Sequence, residues 1–300
     1  MNVKIGRLAL KNPVMVASGT FGYGEEFADF CDLKKLGAIV TKTITINPRQ
    51  GNPVPRTCET PAGMINSIGL ENPGIEKFLT EKLPMVHKFG VPVIVSIASE
   101  GDPDEFVILA KRLDKVAAVA ALELNISCPN LKKKKLISQD ADATAAVVKA
   151  VRRVTKKTLI TKLSPNVTDI CEIALAAQAA GSDALALINT VQGMAINVNT
   201  RTPKIAMVSG GLSGPAIRPI AVRMVWEVYN KVKIPIIGMG GIMDTNSALE
   251  FFIAGATAIS VGTANFIEPA ASVEIVKGLS RYLAGKSIPG IGQLTGSLRA

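Results

Sequence analysis

The segment Leu122-Glu-Leu-Asn-Ile-Ser-Cys-Pro-Asn130 reads as a buried strand that carries Asn125, Ser127, Cys128 and Asn130 to its C-terminal end. In α/β proteins ligands gather at that end. Pro129 has no N–H and disfavours helix for the residue before it, so the chain must leave the strand in an extended turn that presents Cys128. A thiol held there is a candidate base or nucleophile. Two lysines, Lys42 and Lys162, end other apolar runs, where an ammonium needs an anion or a hydrogen-bonded partner to offset its desolvation. Glycines cluster in the last third of the chain: Gly210-Gly-Leu-Ser-Gly214 leads into a helix near Pro215, Gly238-Met-Gly-Gly241 follows an apolar run, and Val261-Gly-Thr263 ends another. Glycines at consecutive strand ends let backbone N–H groups approach phosphate oxygens, and a helix N-terminus adds a favourable dipole.

Such side chains need a scaffold that delivers them to one place. Eight short β-rich apolar runs recur: Val14–Ser18, Ala38–Thr43, Val93–Ala98, Ala121–Ser127, Leu159–Ser164, Ala184–Thr190, Pro235–Gly240 and Ala258–Gly262. Helical stretches follow most of them, among them Asp104–Val116, Ala141–Val154, Asp169–Ala180, Pro215–Lys231, Thr245–Ala254 and Pro269–Leu283, and a further amphipathic stretch spans Glu76–Lys88. Eight such repeats with no linker or composition break predict a single (β/α)8 barrel domain over residues 1–300. Two insertions belong on its catalytic face: residues 46–67, Pro- and Gly-rich with an expected hairpin, and residues 192–214, which resemble a mobile loop. The runs end in Ser18, Lys42-Thr43, Ser96, Asn125 with Cys128, Lys162, Asn189-Thr190, Gly240-Gly241 and Gly262-Thr263, small, polar or cationic in every case. Each alone suits a strand-to-helix turn.

Composition excludes several chemistries. The four cysteines (31, 58, 128, 171) form no CxxC pair and His87 is the single histidine. A zinc site, an iron–sulfur cluster on this chain and a Cys-His or Ser-His-Asp constellation are all disfavoured, and no metal is expected. There is no Walker A sequence and no GxGxxG after the first strand, which argues against nucleotide hydrolysis and a Rossmann NAD site. Flavin mononucleotide (FMN) fits better, with its phosphate on the glycines and Lys162 facing the ring to stabilise negative charge on the reduced form. The N-terminus has no apolar signal region, and the uncharged run 251–267 is divided by Gly255 and Gly262, so a soluble cytoplasmic protein without a membrane anchor is expected. The net charge of +10 is spread along the chain apart from Lys132–Lys135, and with 4% aromatic residues for base stacking a nucleic-acid partner is disfavoured.

Five motifs together are specific: Asn125-Ile-Ser-Cys-Pro-Asn130, Thr41-Lys-Thr-Ile-Thr45 followed by Pro48-Arg-Gln-Gly-Asn-Pro-Val-Pro-Arg56, Asn66-Ser-Ile-Gly-Leu-Glu-Asn-Pro-Gly74, Lys162-Leu-Ser-Pro-Asn166 and Gly210-Gly-Leu-Ser-Gly-Pro215. Over nearly the whole chain they resemble the class 1 dihydroorotate dehydrogenases. Asn66–Gly74 and Asn189-Thr-Val-Gln-Gly-Met-Ala-Ile196 are most similar to the NAD-linked 1B catalytic subunits. The resemblance implies oxidation of dihydroorotate to orotate in pyrimidine biosynthesis. It also implies a separate electron-transfer subunit carrying FAD and a [2Fe–2S] cluster, which passes electrons to NAD+, and a homodimeric core within a heterotetramer.

By that resemblance Cys128 is the base, with Lys42 close enough to favour an anion. Asn66, Ser67, Ile68, Gly69, Leu70, Asn125, Asn130, Asn189 and Thr190 hold the substrate together with Lys42. FMN contacts fall to Ser18, Lys42, Thr43, Ser96, Asn125, Lys162, Ile188, Gly214, Gly240, Gly241, Gly262 and Thr263. Two positions depart from the pattern: Ser96 stands where many relatives carry Asn, and Asn197 where Asp is common. A fumarate-using 1A enzyme, a dihydropyrimidine dehydrogenase domain and, in a different class, an RNA-binding flavin barrel are the alternatives.

Overall fold

In the computed structural model residues 1–127, 129–130 and 135–299 are described. Eight strands form a closed barrel: β1 (Val14–Val16), β2 (Ala38–Val40), β3 (Val93–Ile97), β4 (Val119–Asn125), β5 (Thr158–Lys162), β6 (Ala184–Leu187), β7 (Ile236–Gly238) and β8 (Ala258–Val261). Each pairs in parallel with the next in sequence, and β8 closes onto β1. The expected (β/α)8 barrel is therefore present, with six strands inside their apolar runs, β4 starting two residues and β5 one residue before theirs.

The period-two alternation of a strand sorts these residues onto two faces. Met15, Ala38, Val40, Ile94, Ala121, Ile160, Ala184, Ala186, Ile237 and Ala258 pack together in the lumen. Their neighbours Val14, Val16, Ile39, Val95, Leu122 and Leu159 face outward into the larger core under the helices. A hairpin, Val3–Ile5 paired with Leu8–Leu10, supplies Ile5 and Leu10 to the lumen cluster and caps its N-terminal end. Continuing the lumen alternation toward the C-terminal ends gives residues 42, 96, 123, 125, 162 and 260. The lining thus changes from aliphatic to Lys42, Ser96, Glu123, Asn125, Lys162 and Ser260. Register places Asn125 opposite Lys162 and Glu123 opposite Ser96.

The outer helices follow their sequence signals. Ala141–Arg152, Ile170–Ala179 and Thr245–Ala254 each begin after an Asp whose side chain accepts a first-turn N–H (Asp140 from Ala143, Asp169 from Cys171, Asp244 from Ser247). The stretch expected as one helix over Glu76–Lys88 is interrupted by a π turn, Phe78–Lys82, between Gly74–Lys77 and Leu83–His87. Pro84 lacks an N–H, and its ring would press on the carbonyl four residues back. The ladder shifts so that Leu83 N–H reaches Phe78 O. His87 ends this helix exposed to solvent. Among the described residues no helix is long and apolar enough to cross a membrane.

The two insertions meet. The hairpin Thr57–Thr60/Gly63–Asn66 is joined by Ser209–Ser213 and then Val191–Met194 in a four-stranded antiparallel sheet. Residues 192–214, which resemble a mobile loop in sequence, are instead built largely from strands, with a second ribbon pairing Ile196–Asn197 with Thr202–Pro203. Asn197 accepts from the N–H groups of Asn199 and Thr200, so an amide oxygen suffices to hold that turn where a carboxylate is common.

The glycine signal also needs correction. Gly210 and Gly211 lie within a strand, where a Cβ would stand 2.4 Å from Asn66 O and 2.0 Å from Thr190 Oγ1, respectively. They allow close packing of the sheet and do not cradle a ligand. Gly210→Ala is expected to destabilise the chain by about 1–3 kcal/mol, read as a lowered denaturant midpoint. A variant unfolding like the parent would contradict this account.

Candidate active site

The C-terminal ends of the strands and the antiparallel sheet enclose a cavity of about 1020 Å³. This is at the upper end of the roughly 300–1,000 Å³ usual for ligand pockets. A more open cleft of about 480 Å³ lies over residues 165–169, and no lumen residue lines it.

One side of the cavity is built from glycine. Gly214, Gly240 and Gly241 have φ of 95°, 124° and 78°, a region that side chains rarely adopt, and all three line the cavity beside Gly262 and Thr263. A Cβ on Gly241 would meet Arg218 at 2.7 Å and one on Gly240 would meet Ala221 at 2.9 Å. Positive φ and these close neighbours on the protein side keep the positions as glycine, and their backbone lines the cavity, an arrangement suited to phosphate oxygens. Thr263 Oγ1 donates to Ser213 Oγ at 2.8 Å, which ties the end of β8 to the sheet.

The floor carries two cations. Lys162 is 6% exposed at the end of β5, and among the described residues its ammonium makes no ion pair. Lys42 follows β2 and also lines the cavity. Burial pulls its ammonium below the usual lysine range. Glu71 opposes that shift, and Lys162 and Arg56 reinforce it. Two partly desolvated ammoniums in one cavity form a site for negative charge.

A backbone loop completes the opposite wall. The carbonyls of Ser67, Ile68, Gly69 and Leu70 accept from Asn52 Nδ2, Asn52 N, Arg49 Nε and Asn72 Nδ2 at 3.0, 3.0, 3.4 and 2.7 Å. Gly69 and Leu70 both have positive φ. With the carbonyls held from outside, the N–H groups of Ile68, Gly69 and Leu70 donate to no protein acceptor among the described residues, and these residues line the cavity. Such a turn receives an anion or a ring carbonyl.

The asparagines are held in place by neighbours. Asn66 Nδ2 donates to Gly211 O at 3.3 Å. Asn189 donates to Ser127 Oγ at 2.8 Å and accepts from Thr190 N–H at 2.8 Å. Asn125 Nδ2 donates to Thr43 Oγ1 at 3.3 Å. All three, with Thr190, line the cavity.

The expected residues thus converge: Ser18, Lys42, Thr43, Asn66, Ser67, Ile68, Gly69, Leu70, Asn125, Lys162, Ile188, Asn189, Thr190, Gly214, Gly240, Gly241, Gly262 and Thr263 line one cavity. Ser96 does not reach it and lies fully buried beneath Thr43. Cys128 lies outside the described residues, as do Lys132–Lys134. Asn130 belongs to a short strand, Pro129–Asn130, paired with Lys135–Leu136. Sequence reasoning missed Glu123, which sits 2% exposed in the lumen under the cavity. Its signal was available, since it stands two residues before Asn125 and so on the same strand face.

Comparisons with known proteins agree with this geometry. The family profile described as Dihydroorotate dehydrogenase matches residues 1–283. The chain is 54% identical over 299 residues to a Trichlorobacter lovleyi protein named dihydroorotate dehydrogenase B (NAD(+)), catalytic subunit, covering 99% of this chain and 98% of that protein. Proteins of the same name from Desulforudis audaxviator and Thermoanaerobacter pseudethanolicus are 55% and 50% identical. The alignments cover 98% and 100% of this chain, and 96% and 99% of those proteins. The barrel, the strand-end set and these full-length matches lead to one conclusion: the chain belongs to the dihydroorotate dehydrogenase family.

Proposed function

We propose that the chain oxidises (S)-dihydroorotate to orotate as the FMN-binding catalytic subunit of an NAD-linked enzyme of pyrimidine biosynthesis. The observation that carries this reading is the pairing, in one cavity, of a glycine-lined side with a floor of two lysines and a wall of amides and backbone N–H groups. Those residues fit FMN and a small planar acid together. Gly214, Gly240, Gly241, Gly262 and Thr263 would take the phosphate, and Lys162, Thr43 and Asn125 the ring system. When bound, FMN supplies the acceptor for the hydride that leaves C6 of the substrate.

The chain's own groups perform the rest. The substrate carboxylate and ring carbonyls are met by Lys42 and the N–H groups of Ile68, Gly69 and Leu70, while Asn66, Asn125, Asn130 and Asn189 match the alternating donors and acceptors of the ring. Cys128 Sγ removes the proton from C5. The positive floor lowers the cost of the negative charge that develops as C–H bonds break. Arg49, Asn52 and Asn72, holding the loop carbonyls from outside, keep its N–H groups aimed inward.

A separate subunit carrying FAD and a [2Fe–2S] cluster would take the electrons onward to NAD+, in a heterotetramer with a homodimeric core. The catalytic-subunit name of the relatives supports a partner. Anaerobic stopped-flow absorbance tests the proposal. L-dihydroorotate should bleach the flavin of the purified chain, and neither NAD+ nor fumarate alone should restore the colour efficiently. Reoxidation by fumarate would assign a self-sufficient 1A enzyme instead. A flavin-loaded sample that never bleaches would sink the substrate assignment.

A further inference from the structure

Beneath the cavity floor a buried carboxylate ends a chain of hydrogen bonds. Ser96 Oγ donates to Glu123 Oε1 at 2.9 Å, Thr43 Oγ1 lies 2.9 Å from Ser96 Oγ, and Asn125 Nδ2 donates to Thr43 Oγ1 at 3.3 Å. All four residues are 9% exposed or less. A hydroxyl has one proton to give. Ser96 spends its proton on the carboxylate, so Thr43 must donate to Ser96, and Thr43 has none left for anything above it. The Asn125 amide is then fixed with its nitrogen toward Thr43. Thr43 and Asn125 line the cavity, whereas Ser96 and Glu123 do not.

We infer that Glu123 is a positioning residue: from the lumen it polarises Ser96 and Thr43, so that the cavity floor offers a fixed acceptor at Thr43 and a fixed amide at Asn125, matched to the N–H edge of a planar ring. Such an edge is common to the isoalloxazine and to the pyrimidine substrate, and the inference rests on the function proposed above. A buried acid inside a barrel lumen costs desolvation, and neither packing nor the reaction chemistry otherwise uses it. Its value lies in direction, since Glu123 Oε1, by accepting from Ser96 at one end, leaves the chain a single proton order.

The test is a double-mutant cycle on the full-length chain with Glu123→Gln, Thr43→Val and both. Two dissociation constants are measured: flavin for the flavin-stripped protein, by fluorescence quenching, and orotate for the reloaded protein, by perturbation of flavin absorbance. Glutamine can donate as well as accept, so it makes the order degenerate. Glu123→Gln should weaken at least one ligand about tenfold when Thr43 is present and have no further effect in the Thr43→Val background, a coupling of the size seen for contacting residues. Coupling in the flavin measurement alone assigns the N–H edge to the cofactor, and in the orotate measurement alone to the substrate. Equal losses in both backgrounds, or none in either, would overturn the inference and leave Glu123 as structural. If Glu123→Gln does not fold, Ser96→Ala breaks the same chain and is read in the same cycle. A parent protein that binds flavin but ignores orotate and dihydroorotate would defeat the substrate reading, while the flavin cycle still decides the role of Glu123.

Discussion

Cys128→Ser is expected to slow flavin reduction by dihydroorotate about a thousandfold, within the range of about 10²–10⁴ that general base catalysis contributes, while flavin remains bound. A hydroxyl is a far weaker acid than a thiol, so serine at this position holds almost no alkoxide at neutral pH, and the glycine side that would take the phosphate is untouched. The pH profile gives a second criterion. An ordinary thiol titrates near about pH 8.5, so reduction by the parent protein should rise as pH approaches that value. Lys42 gives the falling limb. Burial holds its ammonium below the usual lysine range, so the charge proposed to meet the substrate carboxylate is lost at a lower pH than for an exposed lysine. Serine should abolish the rising limb and leave the falling one. Single-turnover absorbance across pH measures both, and unchanged reduction kinetics in the variant would refute the base assignment.

The barrel was legible because every strand coincides with an apolar run to within two residues, and period-two alternation then fixes which residues face the lumen. The polar ends of those runs named most of the cavity wall for the same reason. What stayed hidden depended on contacts between segments far apart in sequence. Residues 192–214 resemble a mobile loop in sequence although they pair largely among themselves and with Val191; the strand that anchors them in a sheet, Gly63–Asn66, lies well over a hundred residues away. Gly210 and Gly211 read as phosphate-binding because an absent Cβ looks the same in sequence whether the space is taken by a ligand or by Asn66 and Thr190. Glu123 stands in the sequence as one charge within a buried run, and its spacing from Asn125 already places both on the lumen face.

These corrections sharpen the account of the site. With two glycines assigned to sheet packing, the glycines of those three motifs that line the cavity are Gly214, Gly240, Gly241 and Gly262, contributed by the loops after β6, β7 and β8. The sheet made from the two insertions is then the wall that brings Asn66 and Thr190 together through Gly211, whose lack of a side chain lets Thr190 approach. Cavity-lining residues from the second and sixth strand-to-helix connections are thus locked to each other in the empty site, which reduces the ordering cost of binding a ligand.

Lys42→Met should lower kcat/KM for dihydroorotate by about 10²–10³, the loss typical of removing one electrostatic contact to developing charge, and should at the same time make the ligand-free chain more stable. The two effects have one cause. The folded state holds Lys42 at a lower pKa than the unfolded chain does, chiefly through burial, which Glu71 opposes and Lys162 and Arg56 reinforce. Between the two pKa values the unfolded state binds more protons, so the stability of the parent protein rises with pH through that window. Below that window the penalty is present in full. Methionine fills similar volume without charge, so below the window the variant should melt higher than the parent, and the gap should close as pH rises through the folded-state pKa of Lys42. Thermal melts of flavin-free protein at several pH values check this. A variant that melts lower, or a gap that widens with pH, would show that Lys42 is held by favourable contacts in the empty site. The expected result would mean that the cavity floor stays destabilised until an anion neutralises it, with binding energy and fold stability drawn from the same buried charge.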